Sequence, residues 1–556
     1  MTGMGGNETL TYEDVVSRFS ADELAATLQG DLEHGINACV ECCDRHVGSN
    51  RLALDYENQD GRREQFSFED LRDRAAQFAN YLQSVGIGAG DVVAGMLPRT
   101  PDLLTTILGT WRAGAIYQPL FTAFGPKAID HRLKMSEAKL VVTDAVNRPK
   151  LADIADTPRV GVFLRAEKGE TVGAGDDDLG AMLAKQSADF SPVMRRGDDL
   201  MMMMSTSGTT GLPKGVPVPI HALLSFDVYM RTAIDLQPDD VFWNIADPGW
   251  AYGLYYAVTG PLLIGHATTF YDGPFTAEST YRLIQSHGIN NLAGAPTAFR
   301  LLIAAGEDAA APLKGKLRVV SSAGEPLNPE VIRWFAANLG APIYDHYGQT
   351  ETGMVVNSHH GLSHDVRPGA AGLPMPGFHV TVIGEDNTEL PPNTPGDLAV
   401  DLSRSPLMWF DGYYRQNTPS IADGFYRTGD TAERAASGHI SFVGRNDDVI
   451  TSSGYRIGPF DVESALVEHP AVVEAVVIGK PDPERTEIVK AFIVLKPGVA
   501  SDGLADELST FVKKRLSAHA YPREIEFVTE LPKTPSGKVQ RFILRNREKE
   551  PVPPAA

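Results

Sequence analysis

Between residues 66 and 293 the sequence alternates helical apolar spacing with short apolar runs, and this alternation most restricts what the chain can fold into. The runs at 91–96, 140–143 and 160–164 are too short for helices and suit buried strands. Around them, 68–85 carries apolar residues at helical spacing and closes on Gly86, and 102–111 repeats the pattern. The alternation predicts α/β layers, in which ligands bind at strand-to-helix junctions.

At 556 residues and 43% hydrophobic composition, the chain exceeds what one core supports, so at least two domains are expected. Pro and Gly thicken over 368–396, where 383–390 reads as a hairpin-like excursion in a β-rich subregion. After Gly444 the texture changes: 471–478 and 491–495 alternate as strands and 504–518 reads as a helix. A large part, 1–446, is therefore expected to precede a small α+β domain, 447–556, whose Pro-Ala tail at 551–556 reads as disordered.

Charge excludes several partners. With 50 basic against 71 acidic residues the net charge is −21, which disfavours nucleic acid and anionic membranes, so an anionic ligand has to be captured locally. Residues 1–10 lack the basic start and apolar run of a secretory signal, and the apolar stretch 251–265 is broken by Gly253, Gly260 and Pro261. The expectation is a cytoplasmic protein with no membrane insertion. Cys39, Cys42 and Cys43 have no second Cys pair to complete a zinc site and read as packing residues on an amphipathic helix over 36–47.

The strongest chemical signal is Ser205-Thr-Ser-Gly-Thr-Thr-Gly-Leu-Pro-Lys214-Gly215, directly after the apolar run 200–204. Gly208, Gly211 and Gly215 let the backbone approach a ligand closely. The hydroxyls of Ser205, Thr206, Ser207, Thr209 and Thr210 offer donors, and Lys214 adds a cation. These are the parts of a phosphate cradle. Their order differs from the Walker A pattern, in which Lys is followed by Ser or Thr.

The segment resembles the phosphate loop of the adenylate-forming superfamily, and four further motifs follow in that family's order. They are Tyr344-Asp-His-Tyr-Gly-Gln-Thr-Glu-Thr-Gly353, Tyr426-Arg-Thr-Gly-Asp430, Gly444-Arg445-Asn-Asp447-Asp448 with Ser453-Gly454-Tyr455-Arg456, and Pro532-Lys-Thr-Pro-Ser-Gly-Lys538. The resemblance implies a large multi-sheet adenylate-forming domain followed by a small mobile α+β domain, with the hinge at Asp447. It implies an AMP-forming acyl-CoA synthetase using ATP, Mg2+ and coenzyme A on a small carboxylic acid. Joining a carboxylate to a phosphate brings two anions together, so neutralising charge matters more than a general base.

By the same resemblance, Glu351 holds Mg2+, Thr350 contacts the α-phosphate and Lys538 reaches the acyl carboxylate. The nucleotide is taken by the loop from Ser205 to Lys214, by Gly324, Glu325 and Pro326, and by Asp345, His346, Tyr347, Gly348 and Gln349. Asp430 takes the ribose hydroxyls, with Arg445 and Arg456 nearby; Ser453, Gly454, Tyr455 and Lys513 meet coenzyme A. The acyl pocket falls to Trp250, Ala251, Tyr252, Ala323 and Gly348. Gly348 stands where acetyl-specific relatives carry Trp, which points to short- to medium-chain acids, including branched ones, with an acetate/propionate- or aromatic-acid-CoA ligase as the alternative. Lys538 is also a candidate for reversible acetylation by a lysine acetyltransferase and deacetylase, with Pro535 where many acetyl-activating relatives have Arg. A nucleotide-binding sensor, the alternative from another class, is expected to lack Lys538 or Glu351.

Overall fold

Ser67 starts the first long helix, Phe68–Ser84, with a reciprocal cap: its hydroxyl accepts from the Asp70 amide and the Asp70 carboxylate accepts from the Ser67 amide. Such a cap contributes about 1 kcal/mol. Leu71, Ala75, Phe78, Ala79 and Leu82 recur every three or four positions and are buried, packing against the helix Pro101–Arg112. The two helices meet so closely that a Cβ on Gly109 would lie 2.6 Å from Phe78 Cβ. The first helix ends at Gly86, whose φ of +78° suits glycine. These features come from a computed structural model of the chain, which describes residues 10–48, 50–165, 168–206, 213–445, 447–452, 455–482, 485–516, 519–533 and 539–549.

The two helices cover a seven-stranded sheet ordered Asp177–Asp178, Arg159–Phe163, Leu140–Asp144, Val92–Met96, Ile116–Pro119, Leu200–Ser205 and Gly215–Pro219. Neighbours are parallel except the last pair, which forms an antiparallel hairpin. A second sheet orders Phe242–Asn244, Asn291–Gly294, Val319–Ala323 and Ile343–Gln349 in parallel, then Gly353–Asn357 and Leu373–Pro374 antiparallel. A third, antiparallel sheet is built on Phe425–Arg434, paired with Gly396–Asp401 and Ile440–Arg445. The chain is thus mixed α/β with several sheets.

Strands between residues 450 and 527 form a separate sheet in which Thr486–Leu495 pairs with Val472–Asp482 and, in parallel, with Glu524–Phe527. The helices Pro459–Val467, Leu504–Arg515 and Arg541–Lys549 accompany it. This region has a core of its own around Val462, Leu466, Val489, Ile493 and Leu508.

One sequence expectation needs correction. Residues 36–47 do not form one helix: Ala38–Cys42 is a short helix capped by Asn37, and Cys43 breaks it at φ −140° before the 3-10 turn Asp44–His46. The break lets Asp44 meet Arg112 at 2.7 Å. All three cysteines are buried packing residues, as expected. No helix among the described residues is long and apolar enough to cross a membrane.

Candidate active site

Ser205 ends its strand, and the chain returns at Gly215 directly opposite. The hairpin closes through the Thr206 amide on the Lys214 carbonyl (3.0 Å) and the Lys214 amide on Thr206 Oγ1 (3.3 Å). Ser207, Gly208, Thr209, Thr210, Gly211 and Leu212 lie outside the described residues. The base of the loop is braced from two directions. In the helix Pro126–Ser136, Arg132 Nε donates to Ser205 Oγ at 2.9 Å and the His131 ring lies 2.9 Å from the Pro213 carbonyl. From the other direction, the Tyr414 amide donates to Gly215 O at 2.9 Å.

Lys214 joins this loop to the turn after Ile343–Gln349. Its ammonium lies 4.4 Å from the centre of the Tyr413 ring, and the Tyr413 hydroxyl donates to Glu351 Oε1 at 2.7 Å. Glu351 is buried, and burial holds its carboxyl above the usual range while the Tyr413 bond pulls it down. No cluster of three His, Cys, Asp or Glu able to hold a metal by itself occurs among the described residues. A buried carboxylate linked through Tyr413 to Lys214 still fits Mg2+, a hard ion commonly held by one or two carboxylates plus substrate phosphates.

A second group lies on the same strand. Tyr347 OH donates to Asp430 Oδ2 at 2.5 Å, Gln349 Nε2 donates to the same oxygen at 2.9 Å, and Tyr426 OH donates to Gln349 Oε1 at 2.8 Å. Burial raises the Asp430 carboxyl, against which Arg445 stands at 3.6 Å. Asp345 is also pushed well up by burial, and its Oδ1 has no hydrogen-bond partner among the described residues. Ser205, Ala323 and Gln349 all stand at carboxyl ends of their strands, the edge at which open α/β sheets bind ligands.

Known proteins resemble the chain in sequence and fold. The AMP-binding enzyme profile matches residues 43–414, and the AMP-binding enzyme C-terminal domain matches 461–538. The chain belongs to the AMP-binding enzyme family. It is 38% identical over 562 residues to an acetyl-coenzyme A synthetase of Bacillus subtilis, covering 97% of this chain and 96% of that protein. It is 36% identical to the mitochondrial acyl-coenzyme A synthetase ACSM3 of Rattus norvegicus, over 88% of this chain and 85% of that one. A crystal structure of a Brucella canis acyl-CoA synthetase is 63% identical, with a TM-score of 0.80 and coverage of 97% and 99%.

The remaining sequence-derived residues fall into three situations in this AMP-binding enzyme. Some sit at the site with their side chains engaged elsewhere. His346 turns its ring into the core between Tyr229 OH (2.7 Å) and the Ser358 carbonyl (3.1 Å), and burial lowers it to about 3. Glu325, in the turn of Gly324 and Pro326, accepts from Thr297 at 2.9 Å and pairs with Arg300 at 3.2 Å.

Others are the residues expected for the acyl pocket. Ala323 is fully buried, and Trp250, Ala251 and Tyr252 open a helical run that continues as the π-helix Leu254–Thr259, a form often found at functional sites. The Trp250 Nε1 has no hydrogen-bond partner among the described residues. Gly348 has no room for a side chain, because a Cβ there would lie 2.0 Å from the Gly353 carbonyl oxygen.

The third set belongs to the C-terminal region. Tyr455 is exposed and stacks on His519 at 4.1 Å, and Lys513 lies 5.1 Å from the Tyr521 ring. Asp447 meets Arg445 at 3.5 Å and Arg545 at 3.6 Å. Lys538, Ser453, Gly454 and the Arg456 side chain lie outside the described residues. Sequence reasoning missed Tyr413, Tyr426 as a side chain, and Arg132. The pair Tyr413-Tyr414 after Gly412 was the one available cue to the first.

Proposed function

We propose that the chain is an AMP-forming acyl-coenzyme A synthetase. ATP and a carboxylic acid give an acyl-adenylate and pyrophosphate, and the thiol of coenzyme A then takes the acyl group and releases AMP. The observation that carries this reading is the Lys214–Tyr413–Glu351 chain. It joins the glycine loop to the same strand-end turn that carries Tyr347 and Gln349 against Asp430.

In the first half-reaction an acid oxygen attacks the α-phosphorus as its bond to the pyrophosphate oxygen breaks. The loop from Ser205 to Lys214 receives the β- and γ-phosphates. Thr350 and Lys538 take the α-phosphate and the acid, and Asp430 accepts from the ribose hydroxyls. The unpartnered Asp345 Oδ1 suits the exocyclic amine of adenine. When bound, Mg2+ supplies positive charge to the phosphates, and Glu351 is the residue that would hold it.

On this reading residues 1–446 and 447–556 are two domains turning about Asp447, so that Lys538 serves adenylation and Ser453, Gly454, Tyr455 and Lys513 serve the thiol step. Arg541, three residues beyond Lys538, pairs with Glu463 at 2.7 Å. The reading places the enzyme in the cytoplasm and leaves Lys538 open to acetylation.

The acid is short- to medium-chain, from propionate to octanoate and including isobutyrate. The similarity to the Bacillus acetyl-coenzyme A synthetase favours acetate as a second reading. A panel from acetate to decanoate, with isobutyrate and benzoate, assayed for AMP release with and without coenzyme A, tests this. A coenzyme A-dependent maximum at intermediate length is expected. Release with acetate alone would transfer the case to the second reading, and the absence of release with every acid would favour an unusual substrate or a nucleotide sensor.

A further inference from the structure

Two arginines, Arg112 and Arg132, are buried among the described residues, and they are solvated by the protein in opposite ways. Arg112 faces the carboxylate of Asp44 at 2.7 Å. Arg132, 3% exposed, has no ion pair among the described residues. Its Nε donates to Ser205 Oγ at 2.9 Å, one terminal nitrogen donates to the Ala128 carbonyl at 2.8 Å, and its guanidinium lies 4.0 Å over the Phe124 ring. Burial alone pulls it down to about 10, with no nearby acid to restore it.

A buried charge without a counter-ion is costly, and neutral partners return only part of the lost hydration. The Phe124 ring favours a cation, yet it carries no net negative charge. The place of this cation is specific. It hydrogen-bonds the first residue of the loop 205–215, while the adjacent His131 contacts Pro213 at the loop's far end.

We propose that Arg132 is a positioning residue whose missing counter-ion is the polyphosphate of the nucleotide. It anchors Ser205 at the root of the loop, and its uncompensated charge lowers the free energy of the β- and γ-phosphates, and of the departing pyrophosphate, above it. This rests on the reading that the loop 205–215 receives those phosphates. The uncharged core of the fold carries the charge at a cost when the loop is empty and recovers it when the anion enters.

The test compares wild type with Arg132→Gln and Arg132→Lys, measuring affinities for ATP, pyrophosphate and AMP by calorimetry together with thermal unfolding without ligand. Wild-type binding of ATP and pyrophosphate checks the underlying reading separately, and its absence would overturn that reading first. With Arg132→Gln, ATP and pyrophosphate affinity should fall on the order of tenfold or more while AMP changes by less than about threefold. The salt dependence of ATP binding should flatten. Unfolding without ligand should occur at the same temperature or higher, since a buried unpaired charge is removed. Arg132→Lys, which keeps the charge, should retain most of the ATP-over-AMP preference. Equal loss for all three ligands in both variants, an unchanged ATP-over-AMP ratio, or a lowered unfolding temperature with that ratio intact would each overturn the proposal.

Discussion

Replacing Tyr413 by Phe removes one oxygen from the site and leaves the rest of the side chain in place. That oxygen donates to Glu351 Oε1 at 2.7 Å, and the ring beneath it faces the Lys214 ammonium at 4.4 Å. A hydrogen bond to a charged group contributes about 1.5 to 3 kcal/mol, and at about 1.4 kcal/mol per factor of ten its loss slows adenylation by roughly 10- to 150-fold. The ring contact to Lys214 survives in Phe, so the deficit belongs to the carboxylate. The assay is pyrophosphate–ATP exchange across a Mg2+ titration, run beside thioester formation from supplied acyl-adenylate. Exchange should fall and need more Mg2+, while acyl transfer stays within about threefold because Glu351 then has no polyphosphate to serve. Undiminished exchange, or an equal loss in both half-reactions, would refute the linkage of Tyr413 to Glu351 as a device for adenylation.

Lys538→Ala should abolish pyrophosphate exchange while leaving thioester formation from supplied acyl-adenylate; equal loss of both would remove Lys538 from the adenylation step. Gly348→Ala places a Cβ 2.0 Å from Gly353 O and 2.7 Å from Met354 Cα, all rigid backbone, so thermal unfolding should show a loss of at least about 1 to 3 kcal/mol together with weaker exchange. His287 is fully enclosed between Asp55 (3.1 Å) and Glu57 (2.8 Å). Burial lowers its ring, but the two carboxylates outweigh burial and leave it raised, while burial raises both carboxyls and the hydrogen bonds leave them lowered. The ring's contribution is full below its ordinary value near 6.5 and is lost as pH rises through the folded value; the carboxylates' is present above about 4 and lost in acid. Stability should peak between those limits, and His287→Gln should lose the alkaline slope in unfolding curves taken across pH.

Much of the fold was legible because its signals are local. Ser67, the apolar spacing to Leu82 and Gly86 lie within one stretch, and the helix Phe68–Ser84 follows from them. The strand Leu200–Ser205 is likewise read from an apolar run that ends at a glycine loop. Where a distant partner decides, the signal disappears. The break at Cys43 accompanies the pairing of Asp44 with Arg112, 68 positions away, and nothing in 36–47 announces it. Tyr413 and Arg132 act on partners 62 and 73 positions away. A tyrosine beside a tyrosine, or an arginine on an amphipathic helix, looks like ordinary surface until the sheets bring its partner to it.

Gly348 shows why the acyl pocket resists the same treatment. Compared with a tryptophan at that position in acetyl-specific relatives, glycine reads as a missing wall. The structure supplies a different constraint: the register of Ile343–Gln349 against Gly353–Asn357 shifts between Tyr347 and Gly348. That shift brings the Gly353 carbonyl to 2.0 Å from where a Cβ would stand. Glycine is required here by the path of the returning strand, whatever acid is bound. On the proposed reading, the volume left for the acyl chain depends on where that hairpin runs, and on Trp250 and Tyr252 at the head of the π-helical run, rather than on position 348 alone. A methylene in such a pocket is worth only about 1 to 3 kcal/mol, so a shift of that hairpin by the width of one carbon would change the preferred chain length without altering a single motif.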